Sequence, residues 1–131
     1  MGVAQPSPAQ LLARAREIAA RAHAPYSGIK VGAVAVGLSG STHEGVTVES
    51  AASGMSLCAE RAAVARAIVD ADGPIVRIAV ARHDGEPIAP CGGCRQVLAE
   101  AGADVVVVLQ GPHGPVERQL RELLPDPFLS P

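Results

Sequence analysis

At 131 residues the chain has room for one hydrophobic core and not for two, so a single domain spanning residues 1–131 is expected. A formal charge of −2, with eleven basic residues scattered along the chain, leaves no basic tract for a nucleic-acid surface. The longest apolar run, Val105 to Leu109, is far too short to span a bilayer.

With one Tyr and one Phe, the core has to be built from Ala, Val, Leu and Ile. The N-terminus carries no basic patch followed by an apolar stretch, so a cytoplasmic protein is expected. There an odd number of cysteines, two of them in a C-x-x-C, favours metal or redox chemistry over disulfides.

Residues 1 to 6 read as frayed. Ser7-Pro8-Ala9-Gln10 reads as a helix start, with Ser7 as N-cap, Pro8 in the first turn and Gln10 reaching back as in a capping box. Leu11, Leu12, Ala15, Ile18, Ala19 and Ala22 follow at helical spacing, and the segment His23 to Gly28 ends that helix. Ile29 to Leu38 reads as a strand, Ser39-Gly40-Ser41 as a turn, and His43 to Glu49 as the returning strand of a hairpin. After a loop of small residues, Cys58 to about Ala71 is helical, stopping near Gly73-Pro74.

Ile75 to Ala81 is a strand, Cys91 to Ala101 a helix with Gly102 as its C-cap, and Val105 to Leu109 a strand buried on both faces. Gly111 to Gly114 turns the chain into a short segment near Val116, and one last helical turn, Leu120 to Leu124, stops at Pro125. That order predicts an α/β fold of three layers, a mixed sheet of about five strands with helices on both faces.

Chemistry concentrates in Cys58-Ala59-Glu60-Arg61 and Pro90-Cys91-Gly92-Gly93-Cys94-Arg95-Gln96, which hold every cysteine of the chain. Both fall where a helix begins, and a helix N-terminus stabilises thiolates. Three thiolates can hold one zinc ion and leave a fourth tetrahedral position open, the arrangement of a catalytic site. A Cys91/Cys94 redox dithiol is the chief rival, and a structural zinc knot the next, although such a knot normally needs four protein ligands. Both rivals leave Glu60 idle. The four histidines, none at ligand spacing from a cysteine, read singly as solvated surface residues.

The two motifs resemble those of the zinc-dependent nucleobase deaminases in their three-cysteine form. Ala24-Pro25-Tyr26-Ser27, Val31-Gly32-Ala33, and Glu122-Leu123-Leu124-Pro125 followed by Phe128 narrow the resemblance to the small homotetrameric cytidine deaminases. It implies one zinc ion held by Cys58, Cys91 and Cys94, with Glu60 passing a proton from the metal's water to ring N3 of cytosine and later to the departing amine. It assigns the Ala59 backbone N–H to ring O2 and Arg61 to the ligand sulfurs as a charge-withdrawing guanidinium. Glu49 falls to the ribose hydroxyls, and Phe128 to a neighbour's active site within a homotetramer. Arg95 and Gln96 match the motif without an assigned role.

The implied reaction is hydrolytic deamination of cytidine and 2′-deoxycytidine with loss of ammonia, as in pyrimidine salvage. Three positions depart from the family pattern. Thr47 replaces an asparagine beside Glu49, Ser53 replaces a tyrosine, and Ile29 replaces a phenylalanine that packs on the substrate. A modified cytosine nucleoside, of the kind blasticidin S deaminases accept, is the nearest alternative substrate.

Overall fold

The computed structural model describes residues 5–129. Of the start expected to be frayed, residues 1–4 lie outside the described residues, whereas Pro6 is held: its carbonyl accepts from Arg77 Nη1 at 2.8 Å. Helix α1 (Pro8–Ala19) begins with the expected capping box. The Ser7 hydroxyl accepts from the Gln10 N–H at 3.1 Å, and the Gln10 side chain accepts from the Ser7 N–H at 2.8 Å.

Strands β1 (Val31–Gly37) and β2 (Thr42–Val46) form the hairpin, followed by α2 (Ala59–Val69), β3 (Ile75–Arg82) and α3 (Gly92–Ala101). Strands β4 (Val106–Gly111) and β5 (Gly114–Gln119) and the single turn α4 (Leu120–Leu123) complete the described fold. The sheet order is β2-β1-β3-β4-β5, with only β3 and β4 parallel. The expected mixed sheet is therefore present, with β5 a full six-residue edge strand and not a short segment.

Both faces of the sheet are covered. On one, Leu11, Leu12, Ala15 and Ile18 of α1 pack on Val34, Val36, Ala79, Ala81 and Val108. On the other, Ala63, Val64 and Ala67 of α2 and Leu98 of α3 pack on Ala33, Ala35, Ile78, Val80 and Val107. Burying one such Val, Leu or Ile side chain is worth about 1.5–3 kcal/mol.

The core side chains are small, so helices approach the sheet at backbone distance. A Cβ on Gly32 would stand 2.2 Å from the Ala15 carbonyl oxygen, and one on Gly45 would stand 2.3 Å from the Ala63 amide nitrogen. Gly102 is the C-cap of α3, as expected, and obeys the same rule. Its φ of −167° is extended, and the missing side chain leaves space for the Ile75 carbonyl oxygen, which a Cβ would meet at 2.1 Å.

His43 departs from the sequence reading, being buried and not solvated. Its Nδ1 lies 2.7 Å from Asp70 Oδ2 and its Nε2 2.6 Å from Asp72 Oδ2. Both ring nitrogens can donate at once only in the imidazolium form. Two features, one beyond the end of α2 and one at the end of β1, bring the carboxylates in. Ala71 takes φ 54°, in the left-handed region, and Gly37 has no side chain to obstruct Asp72. Burial opposes the charge on His43, but the bonds to Asp72 and Asp70 more than offset it, so its pKa is raised. The same bonds hold both aspartates below their ordinary values.

The signs fix a pH window. The raised histidine contributes stability that is full below its unfolded pKa, about 6.5, and is lost as pH rises through the folded value. The aspartates contribute above their unfolded value, about 3.9, and lose it as pH falls through the depressed one. The Tm difference between wild type and His43→Gln is therefore expected to be widest between about pH 4 and 6.5 and to narrow above that. Thermal unfolding of both proteins across that range and up to about pH 9 checks it; a constant difference would mean a neutral imidazole.

Candidate metal centre

The N-termini of α2 and α3 meet. Cys58 is the N-cap of α2 and Cys91 the N-cap of α3, and Cys94 lies one turn into α3. All three are free thiols, and their sulfur atoms lie within 4.8 Å of one another. Three sulfurs each about 2.3 Å from one zinc ion would stand about 3.8 Å apart, so this triangle fits the metal with small side-chain adjustment. A two-thiol redox centre would not need the third sulfur. Pro90, fully buried, and Arg95 fix the second cysteine segment. The Arg95 guanidinium donates to the Pro90 carbonyl at 2.8 Å and to the Leu123 carbonyl at 2.9 Å, which gives this arginine the role the sequence left open.

The electrostatics suit a cation. The Cys94 N–H, above all, holds the Cys91 thiol below its ordinary value. Cys94 is raised, by burial first and by the Glu60 charge second. A bound dication reverses that penalty, since a coordinated thiol is deprotonated outright. Arg61 stands where the motif predicts. Its Nη2 donates to the Ser56 carbonyl at 2.8 Å and lies 3.7 Å from Cys58 Sγ, and that sulfur is the main reason its pKa is raised.

Glu60, in the first turn of α2, is 5% exposed, the one buried carboxylate in the described core. Burial pushes its carboxyl above the ordinary value, against the pull of its own backbone N–H, the Cys94 thiol and Arg61. Ala59 is fully buried at the head of the same helix, where the first N–H groups have no intrahelical acceptor.

The wall beside the thiols is built from three extended segments. The His23 N–H donates to the Thr47 carbonyl at 2.9 Å, and the Glu49 N–H to the His23 carbonyl at 2.8 Å. Val48 pairs with Leu57 through two backbone bonds of 2.9 and 2.8 Å, which ties the wall to the residue before Cys58. Because Thr47 to Glu49 pair this way, β2 ends at Val46 and not at Glu49.

Ile29 lies before β1, not in it, and is 40% exposed. The Thr47 hydroxyl turns back to the Val31 carbonyl at 3.4 Å. Glu49 accepts from the Tyr26 and Ser27 N–H groups and from the Ser27 hydroxyl. Gln96, also unassigned by sequence, holds the tail: its side-chain amide bonds the Phe128 backbone on both sides, one bond being Phe128 N–H to Gln96 Oε1 at 3.0 Å. The Phe128 ring is 77% exposed. A separate cleft of about 680 Å³ between α1 and the end of β3 is lined by Leu12, Arg16, Ala81 and His83, away from the thiols.

Three thiols at paired helix N-termini, with a buried glutamate beside them, can hold one metal ion with a fourth position open and a proton-carrying group at hand. Residues 6–110 match the cytidine and deoxycytidylate deaminase zinc-binding region. A cytidine deaminase of Halalkalibacterium halodurans is 39% identical over 111 residues, covering 83% of this chain and 84% of that protein. One from Mycobacterium tuberculosis is 37% identical over 118 residues, covering 90% and 86%.

The solved structure of the M. tuberculosis cytidine deaminase superposes with a TM-score of 0.82 over 92% of this chain and 95% of that one, at 37% identity. The cytidine deaminase of Burkholderia pseudomallei gives 0.82 over 90% and 96%, at 39% identity. The chain belongs to the cytidine and deoxycytidylate deaminase family.

Proposed function

We propose that the chain is a zinc-dependent hydrolase that converts cytidine and 2′-deoxycytidine, with water, to uridine and 2′-deoxyuridine and ammonia. The reaction would serve pyrimidine salvage in the cytoplasm. The observation that carries this reading is the convergence of three free thiols within 4.8 Å, with buried Glu60 beside Cys94. One catalytic domain supplies every group the base requires.

Cys58, Cys91 and Cys94 would hold zinc as thiolates. When bound, the metal lowers the pKa of a water toward neutrality and so supplies the nucleophile. Glu60 would take one proton of the water and deliver it to ring N3; once the oxygen is bonded to C4 it would take the remaining proton of that hydroxyl and give it to the amine leaving C4 as ammonia. The Ala59 N–H binds ring O2. Arg61 draws charge from Cys58 Sγ, offsetting part of the negative charge that three thiolates place around a dication.

Glu49 accepts from a sugar hydroxyl, and Thr47 and Ile29 line the sugar side. In a homotetramer, Phe128 on its Gln96 anchor would cover a neighbour's site. Its exposed ring supports that reading, and light scattering that returns a monomer of about 13 kDa would overturn it.

One observation favours a second substrate class. The Thr47 hydroxyl is committed to the Val31 carbonyl, and Ile29 presents no aromatic face, so the sugar side is less polar and less flat than the family pattern. The test is ammonia release from purified zinc enzyme with cytidine, 2′-deoxycytidine and cytosine nucleosides of altered sugar. Turnover of the first two is expected, and Thr47→Asn with Ile29→Phe should raise kcat/KM for cytidine by roughly tenfold, from about 1–3 kcal/mol of recovered polar contact. Wild type and double variant both inert toward the two natural nucleosides would move the assignment to the modified substrates.

A further inference from the structure

Glu49 is pre-arranged by a neighbour that takes no part in the reaction as written above. The loop between α1 and β1 turns at Gly28, whose φ of 73° lies in the left-handed region, with its N–H on the Ala24 carbonyl at 3.0 Å. That turn stacks the Tyr26 and Ser27 N–H groups on Glu49 Oε1, at 3.0 and 3.1 Å. The Ser27 hydroxyl donates to Oε2 at 2.5 Å and accepts from the Ile29 N–H at 3.0 Å. One hydroxyl thus connects Ile29 and Glu49, two positions of the same wall.

A carboxylate has about four acceptor positions. The loop fills two on Oε1 and one on Oε2, which leaves a single acceptor on Oε2 whose direction the Ser27 hydroxyl fixes. Without that bond the carboxylate is held at Oε1 alone, and only those two bonds restrain its last torsion, which is intrinsically broad.

We propose that Ser27 is a positioning residue, aiming the one free acceptor of Glu49 at a single hydroxyl of the substrate's sugar and tying it to Ile29 across the wall. This role rests on Glu49 as the sugar acceptor. The Ser27 role takes the sugar contact as uniform binding, made equally in the ground and transition states, so its loss falls on KM and spares kcat.

The test is steady-state cytidine kinetics on zinc-loaded wild type, Ser27→Ala, Ser27→Thr, Glu49→Ala and the Ser27→Ala/Glu49→Ala double variant. Ser27→Ala is expected to raise KM about tenfold with kcat within about twofold of wild type, and Ser27→Thr to restore KM to within about threefold. In the Glu49→Ala background, Ser27→Ala should change KM by less than about twofold, because the group it aims has gone. Should Ser27→Ala fold poorly, Ser27→Cys, which keeps the size and offers only a weak donor, should give an intermediate KM.

An equal KM increase in both backgrounds means Ser27 only staples the loop and overturns its role while Glu49 keeps its own. So does an unchanged KM in Ser27→Ala alongside a raised KM in Glu49→Ala. A Glu49→Ala variant with wild-type KM overturns the sugar reading of Glu49 and the Ser27 role with it. Wild type inert toward cytidine overturns the proposed function beneath both.

Discussion

Glu60→Gln is expected to keep its zinc and its melting temperature and to lose about 10²–10⁴-fold in kcat. The two side chains have nearly the same shape, so the packing around a residue 5% exposed in the first turn of α2 changes little. The chemistry changes completely, because an amide neither takes up nor releases a proton near neutral pH. Among the described residues no other carboxylate is both buried and close to the thiols, so none can take over the transfer. Removing the charge also relieves Cys94, whose pKa Glu60 helps raise, so metal binding should not suffer. The readouts are zinc per chain, thermal unfolding and ammonia release from cytidine. Turnover within a few fold of wild type, on the order of the scatter between preparations, would remove Glu60 from the proton path.

The parts of this fold that could be read from sequence are those whose signal is local. Ser7, Pro8 and Gln10 satisfy one another within a single turn, and the capping box appears as written. The two cysteine motifs sit at helix starts, Cys58 ahead of the helix formers Ala59, Glu60 and Arg61, and Cys91 as the N-cap of α3 despite the two glycines of its first turn. Strand β5 was obscured for a physical reason. It is an edge strand, Gly-Pro-Val-Glu-Arg-Gln, with one face toward solvent and Pro115 where no ladder donor is needed, so no apolar alternation marks it.

Non-local partnerships were invisible. His43 finds Asp70 and Asp72 at separations of 27 and 29 residues, and Gln96 finds Phe128 at 32. The one available signal for the histidine was its place in a strand whose buried positions face α2, a helix followed by Asp70 and Asp72. Gly32 and Gly45 lie inside strands and Gly102 caps a helix, and each marks a place where another backbone comes close.

That use of glycine carries the second large effect. Gly45→Ala is expected to lower Tm by about 5–10 °C and to reduce kcat by roughly 10²-fold. The added Cβ would stand 2.3 Å from the Ala63 nitrogen and 2.5 Å from the Ala59 oxygen, so it meets backbone of α2 and not a side chain that could swing away. Relief requires α2 to lift from β2, and overpacking of this kind costs about 1–3 kcal/mol or more. The lift is not neutral for the site, because the same first turn carries Ala59 and Glu60 and is preceded by Cys58. A displacement of about 1 Å in groups that must meet the substrate can cost about 10²-fold even when every group survives.

Gly54→Ala is the control: a Cβ there meets nothing within 4 Å, its φ is not in the left-handed region, and wild-type Tm and kcat are expected. Zinc content separates the two ways Gly45→Ala can fail. Loss of metal along with activity would mean the lift carries Cys58 away from Cys91 and Cys94. Retained metal with lost activity would mean that Glu60 and the Ala59 N–H have moved relative to a thiol cluster that α3 and Arg95 still hold. Wild-type Tm and kcat in Gly45→Ala would show that α2 is not seated on β2 at backbone distance, and that the site does not depend on that contact.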